Sequence, residues 1–128
     1  NDTLREKIGE DYPRDTFRHE QDLLVTENGK TALFAGCAHC GIVNILKSAE
    51  DVLGRAPDAV FAGFHLYNPS LGKSEPDELV DAVGEKLRGD KVAHYFTGHC
   101  TGKEAYERLK RKLGDRLGEM PAGSDFTV

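Results

Sequence analysis

The 128-residue chain has no tryptophan, only three cysteines, and no apolar stretch near the ~20 residues that a membrane-spanning helix requires. That last lack excludes a helical membrane protein. The opening from Asn1 to Arg18 is charged and has none of the apolar core of a signal peptide, so a soluble, cytoplasmic protein is the expectation. Three cysteines are too few, and odd in number, for a disulfide framework. Lying beside glycines and histidines, they point instead to a reducing compartment and to site chemistry. A long positive surface is lacking too: 17 basic residues stand against 22 acidic ones, for a net charge of −5. The basic residues concentrated between Lys103 and Arg116 are interleaved with acids, so a nucleic acid is not expected as a partner, and neither is a membrane. No low-complexity tract or linker divides the chain. With 38% hydrophobic residues it can bury one core, which makes residues 1–128 a single domain. Residues 1–18 are expected to be an irregular lead-in, with one short helix near Leu4 to Ile8.

What the chain does have is a motif used three times. An apolar run ends in an aromatic, a small residue and a glycine, and a histidine follows: Phe34-Ala35-Gly36 then His39, Phe61-Ala62-Gly63 then His65, Phe96-Thr97-Gly98 then His99. Each run (31–36, 58–63 and 91–98) reads as a buried strand that leads through a loop into an amphipathic helix. All three histidines should therefore lie at carboxyl ends of strands, the edge at which open α/β sheets hold ligands and metals. Asn28-Gly29 between two apolar runs is a strong hairpin signal, because a type I′ turn needs positive φ at both central positions. A helix is expected from Ile42 to Leu53, ending at Gly54. A second should be capped by Ser74 with Pro76 in its first turn and run to about Leu87. A third should be opened by a Thr101/Glu104 capping box, with Ala105, Leu109, Leu113 and Leu117 on one face. The order is hairpin, helix, strand, helix, strand, helix, short tail strand: an α/β fold, a mixed sheet with helices packed on it.

The densest chemistry lies in Gly36-Cys37-Ala38-His39-Cys40-Gly41 and in Gly98-His99-Cys100-Thr101-Gly102. Glycines on both sides let the backbone turn sharply, and the following helix start favours thiolate and imidazole groups. Three readings of the first loop stay open: metal ligation, a Cys37-x-x-Cys40 redox pair of the thioredoxin-like kind, and small buried residues with a helix-capping histidine. The redox reading lacks the tryptophan that precedes such a motif and follows a hairpin where a βαβ unit is expected. His65 begins a long polar loop that can reach over a site. His19 precedes the first strand, and His94 lies within a strand as a structural residue.

Four blocks carry a resemblance: His19-Glu20-Gln21-Asp22-Leu23-Leu24, the run from Leu33 to Leu46, Ala62-Gly63-Phe64-His65-Leu66, and Thr97-Gly98-His99-Cys100-Thr101-Gly102. In this order they resemble the C-terminal half of the metallo-β-lactamase-fold hydrolases, over residues 15–120. More narrowly they resemble the β-lactamase superfamily II branch that includes a dihydropterin ribofuranosyl-aminobenzene phosphate synthase. The resemblance implies half of an αββα sandwich and a divalent-metal centre, zinc first, with iron or manganese as alternatives. By the same resemblance His39, His99, Cys37 and His19 are the candidate ligands; His65, from the loop above the site, is the candidate catalytic group as substrate contact or proton carrier. Cys37 stands where most such hydrolases carry a bridging aspartate. The signature H-x-H-x-D-H is absent. Three expectations follow: a piece inactive by itself whose parent hydrolyses a small-molecule substrate, a partner in the form of a homodimer or a missing N-terminal half, and, as a different class, a non-catalytic metal-binding module.

Overall fold

A computed structural model describes residues 4–128, so residues 1–3 of the expected lead-in lie outside the described residues. The described lead-in is not helical. Ile8 and Asp11 exchange backbone hydrogen bonds across a tight turn at Gly9-Glu10, and Glu6 and Asp15 extend the antiparallel pairing through Pro13 and Leu4. Gly9, at φ 61°, supplies the left-handed turn that converts the expected helix into a hairpin.

The strands β1 (Asp22–Glu27) and β2 (Lys30–Ala35) pair antiparallel, with Asn28 and Gly29 at φ 51° and 79° as the turn requires. Helix α1 (Ile42–Leu53) ends in a left-handed Gly54 whose amide bonds to Glu50 O. Strand β3 (Ala59–Ala62) then pairs parallel to β2. The loop beyond β3 holds a small antiparallel hairpin, β4 (Tyr67–Asn68) and β5 (Lys73–Ser74). After α2 (Asp77–Gly89), β6 (His94–Thr97) lies parallel to β3. A 3₁₀ turn (His99–Thr101), α3 (Lys103–Leu113) and β7 (Leu117–Glu119) follow, the last parallel to β6. The five-stranded sheet runs β1-β2-β3-β6-β7.

Two expected caps are replaced by other contacts. Ser74 pairs in β5 and leaves the start of α2 to Pro76, with Asp77 and Glu78 in the first turn favoured by the helix dipole. Thr101 is drawn into the interior, so α3 begins after Gly102 with no side-chain cap, and Leu117 belongs to β7 because the helix stops at Leu113.

Side chains alternate across the sheet. Leu33, Ala35, Val60, Ala62, Tyr95 and Leu117 point toward the helices and pack with Ile42, Ile45, Leu46 and Ala49 of α1, Val80 and Leu87 of α2, and Ala105, Leu109 and Leu113 of α3. Fully buried leucines such as Leu33 and Leu109 each contribute about 1.5–3 kcal/mol. Arg116 fastens the far end by donating to the carbonyls of Leu87, Arg88, Asp90 and Val92, which closes the otherwise open C-terminus of α2. The opposite face carries Phe34, Phe61 and Phe96 in register, and no helix among the described residues covers it. No helix among the described residues is long and apolar enough to cross a membrane.

Candidate metal centre at the carboxyl edge

Because β2, β3 and β6 run parallel, the loops bearing Cys37 and His39, His65, and His99 and Cys100 leave the sheet at one edge. Each of these loops holds a non-glycine residue in the left-handed region: Ala38 at φ 50°, His65 at 48° and His99 at 51°. Such backbone costs of order 1–3 kcal/mol per residue and persists only where neighbours over-determine it. The neighbours here are bonds between loops. Gly63 N donates to Gly36 O at 2.8 Å, Leu66 N to Cys100 O at 3.0 Å, and Phe64 N to Thr101 Oγ1 at 2.9 Å. Thr101 Oγ1 also bonds Thr97 Oγ1 at 2.6 Å, and both threonines are buried.

This bracing brings together groups that are distant in sequence. Cys37 Sγ lies 3.6 Å from His99 Nδ1, and among the described residues Cys37, His99 and Cys100 place their donor atoms within 4.8 Å of one another. The Cys100 thiol donates to Cys37 O at 3.7 Å. Burial, with Cys37 beside it, pushes the Cys100 thiol up to about 11.

The other candidates take different places. His39 packs its ring edge-on against His65, with centroids 4.4 Å apart, and against Phe17 at 5.1 Å; it is not in the group of three. Among the described residues the buried His65 Nδ1 has no hydrogen-bond partner. His19 is 70% exposed and sits 3.9 Å from Asp15, out on the rim. His94 is exposed at the start of β6, stacked on Phe96.

Two contributors were not singled out as site residues by the sequence. Cys100 was visible only as half of a His-Cys pair. Glu20 was visible only as part of the first resemblance block, with no role, yet its carboxylate accepts from the amides of His39 and Cys40 at 2.6 and 2.7 Å and so holds the first loop in place. Burial pushes its carboxyl up, but these bonds and the Cys40 thiol outweigh that and hold it below the usual range. A cleft of about 410 Å³ opens beside His99, bounded by Lys103, Tyr106 and Glu119, and a smaller one of about 250 Å³ adjoins His65, Asn44 and Glu75.

Two thiols and an imidazole suit a divalent metal such as zinc, which prefers sulfur and nitrogen donors, and three protein ligands leave a position for water or substrate. The donor set therefore fits the group that the resemblance implies.

No protein-family profile matches the chain. Over 101 residues it is 30% identical to the 7,8-dihydropterin-6-methyl-4-(β-D-ribofuranosyl)-aminobenzene-5′-phosphate synthase of Methanocaldococcus jannaschii, a match covering 78% of this chain and 32% of that protein. A crystal structure of a metal-dependent hydrolase of the β-lactamase superfamily superposes with a TM-score of 0.82 at 24% identity, over 98% of this chain and 48% of the other. The chain thus spans about a third of the length of the curated relative and about half of the solved one. Its sheet, its helices and its three edge loops have the fold found in one half of a β-lactamase-superfamily hydrolase.

Proposed function

We propose that this chain contributes one side of the metal centre of a hydrolase acting on a small-molecule substrate. The observation that carries the reading is the convergence of Cys37, His99 and Cys100 at the carboxyl edge of a sheet with this fold. His99 and Cys37 hold the metal, with Cys100 as the added sulfur donor and His39 one ring further along, against His65. Zinc is the metal best matched to the donors. When bound it supplies Lewis acidity, activating water near neutral pH and polarising a carbonyl or phosphoryl oxygen.

The remaining residues position and exchange protons. Glu20 fixes the loop of Cys37 and His39, and Thr101 ties the loops of β3 and β6 together. His65 offers its buried Nδ1 to a donor on the substrate and serves as contact or proton carrier, while His19 remains an outer group. The open face of the sheet is the place for the other half of the sandwich. A hydrolase of the solved kind has a chain about twice as long, which supplies material of the right size to cover it.

The thioredoxin-like alternative meets an obstacle at Cys40. Its thiol is engaged by Glu20 and by Phe17 O, whereas a redox pair would need it against Cys37.

Competition with a chromophoric chelator tests the reading. The 128-residue chain should bind zinc weakly, and His99→Ala and Cys37→Ser should each lower affinity by at least about tenfold. Lactamase and phosphodiesterase activity should not exceed that of His99→Ala. Zinc affinity unchanged by both substitutions would remove the metal centre from this edge.

A further inference from the structure

From the placement of the sulfurs we infer that Cys37 and Cys100 form a reversible disulfide on exposure to hydrogen peroxide, in preference to the nearby pair Cys37 and Cys40. The CxxC spacing in the sequence suggests the adjacent pair, but the fold turns those two thiols to different neighbours. Cys40 Sγ is directed at Phe17 O, 3.8 Å away, and its amide is held by Glu20. Cys100, by contrast, comes within 4.8 Å of Cys37 from a loop more than 60 residues away, and its thiol lies against the Cys37 carbonyl.

Nothing intervenes. Gly63 has no side chain beneath Cys100 Sγ, and both loops are pinned to the loop of β3 by the Gly63, Phe64 and Leu66 amides. Closing the gap from within 4.8 Å to a bond of about 2.05 Å asks for rotation of two short side chains. All three cysteines are free thiols in the reduced chain.

The chemistry balances with the peroxide as oxidant. The sulfur of Cys37, reachable at the half-buried mouth, attacks a peroxide oxygen; the O–O bond breaks, leaving Cys37 as a sulfenic acid and releasing one water. The sulfur of Cys100 then attacks the Cys37 sulfur, and the S–O bond breaks. The leaving hydroxide takes the Cys100 proton as a second water, so the two sulfurs have given two electrons to the peroxide. A thiol reductant reverses the bond. Where the metal reading holds, and only there, the same bond removes two sulfur donors from the centre, so zinc and oxidation compete.

Peptide mapping under non-reducing conditions decides the matter. Trypsin places Cys37 and Cys40 together in peptide 31–47 and Cys100 in peptide 92–103. After peroxide treatment the expected species is these two peptides joined, lighter by two hydrogens than their sum and separated by dithiothreitol. Cys40→Ser should retain the link. Cys100→Ser should lose it and accumulate sulfinic acid at Cys37. A link within peptide 31–47, or Cys37 oxidised with Cys100 still free, would overturn the inference. Prior loading with zinc should slow the link at least about tenfold, in proportion to the donors sequestered. A link that forms at the same rate with zinc present leaves the disulfide standing and counts against the metal centre instead.

Discussion

Cys100 Sγ lies so close over Gly63 that a Cβ on the glycine would stand 2.6 Å from the sulfur. The next contacts of that Cβ, Gly36 O at 3.5 Å and Cys37 Cα at 3.6 Å, are ordinary, so the sulfur is the group that would have to move. Gly63→Ala should therefore keep the fold, lower stability by about 1–3 kcal/mol and displace Cys100 from Cys37. Urea denaturation reads the first effect and peroxide cross-linking the second. A variant as stable as the parent and equally ready to cross-link would mean that Cys100 is not held there.

A second prediction concerns the buried hydroxyl that bonds both Phe64 N and Thr97 Oγ1. Thr101→Val keeps the shape but leaves a buried amide without an acceptor, at a cost of about 1–3 kcal/mol, and frees the left-handed His65 from its brace. Thr101→Ser should recover most of the loss. Thermal unfolding of the two variants side by side checks this, and a loss in Thr101→Ser with none in Thr101→Val would assign the effect to the methyl group.

The difference between what could and could not be read from the chain is instructive at Thr101. Its position before Glu104 has the local form of a helix cap, and local form is what a sequence displays. The amide it serves belongs to Phe64, which only the fold brings near. The same division recurs elsewhere. Asn28-Gly29, the glycine-ended strands and α1 are fixed by turn chemistry and periodicity within a few residues, and the structure has them as read. The lead-in hairpin, Glu20 against the His39 amide and Cys100 against Cys37 depend on pairings across space. His39 and His99 follow equivalent strands, yet the left-handed backbone at Ala38 and at His99 directs them differently, one toward His65 and the other toward Cys37.

Between α2 and α3 the charges form a ladder with a defined pH response. Arg108 donates to both oxygens of Asp81 at 2.8 and 2.6 Å, Lys112 joins them, and together they hold the Asp81 carboxyl down at about 2. A carboxyl lowered in the folded state stabilises the fold above its unfolded value of 3.8, and that contribution is lost as pH falls through about 2. Carbon-detected NMR titration should place the Asp81 midpoint near 2. Asp81→Asn should destabilise the chain at pH 7 and match the parent below about pH 2. A midpoint near the ordinary aspartate value would show that the ladder is open in solution.

The thiol of Cys40 should be slow despite its exposure. Its hydrogen bond to Glu20, followed by burial and the nearby carboxylates, pushes it up to about 11, so little thiolate exists at neutral pH. Alkylation by iodoacetamide, resolved by peptide mapping, should rise with pH toward a midpoint near 11, and Glu20→Gln should move that midpoint down. A Cys40 midpoint at or below the free-thiol value would show that Glu20 does not hold the thiol.

The last prediction follows from the uncovered face of the sheet. Phe34, Phe61 and Phe96 stand in register on neighbouring strands with centroids 4.9 and 4.8 Å apart, and Phe126 from the C-terminal tail lies over the last two at 5.3 and 4.4 Å. The tail covers one side of this row only. Toward β1 the surface stays open, with Phe34 40% exposed, Val25 44% and Leu23 59%. Contiguous apolar surface of roughly a few hundred Å² or more marks an interaction site, and this is the face that the proposed function gives to the other half of the sandwich. In sedimentation the 128-residue chain should associate beyond the monomer, and the pair Leu23→Lys and Val25→Lys should restore the monomer without unfolding it. Val52→Lys is the matched control, because Val52 is 75% exposed on α1, on the helical side of the sheet. Association abolished equally by the control would point to general solubility, and a monomeric parent would mean that the Phe126 tail is cover enough.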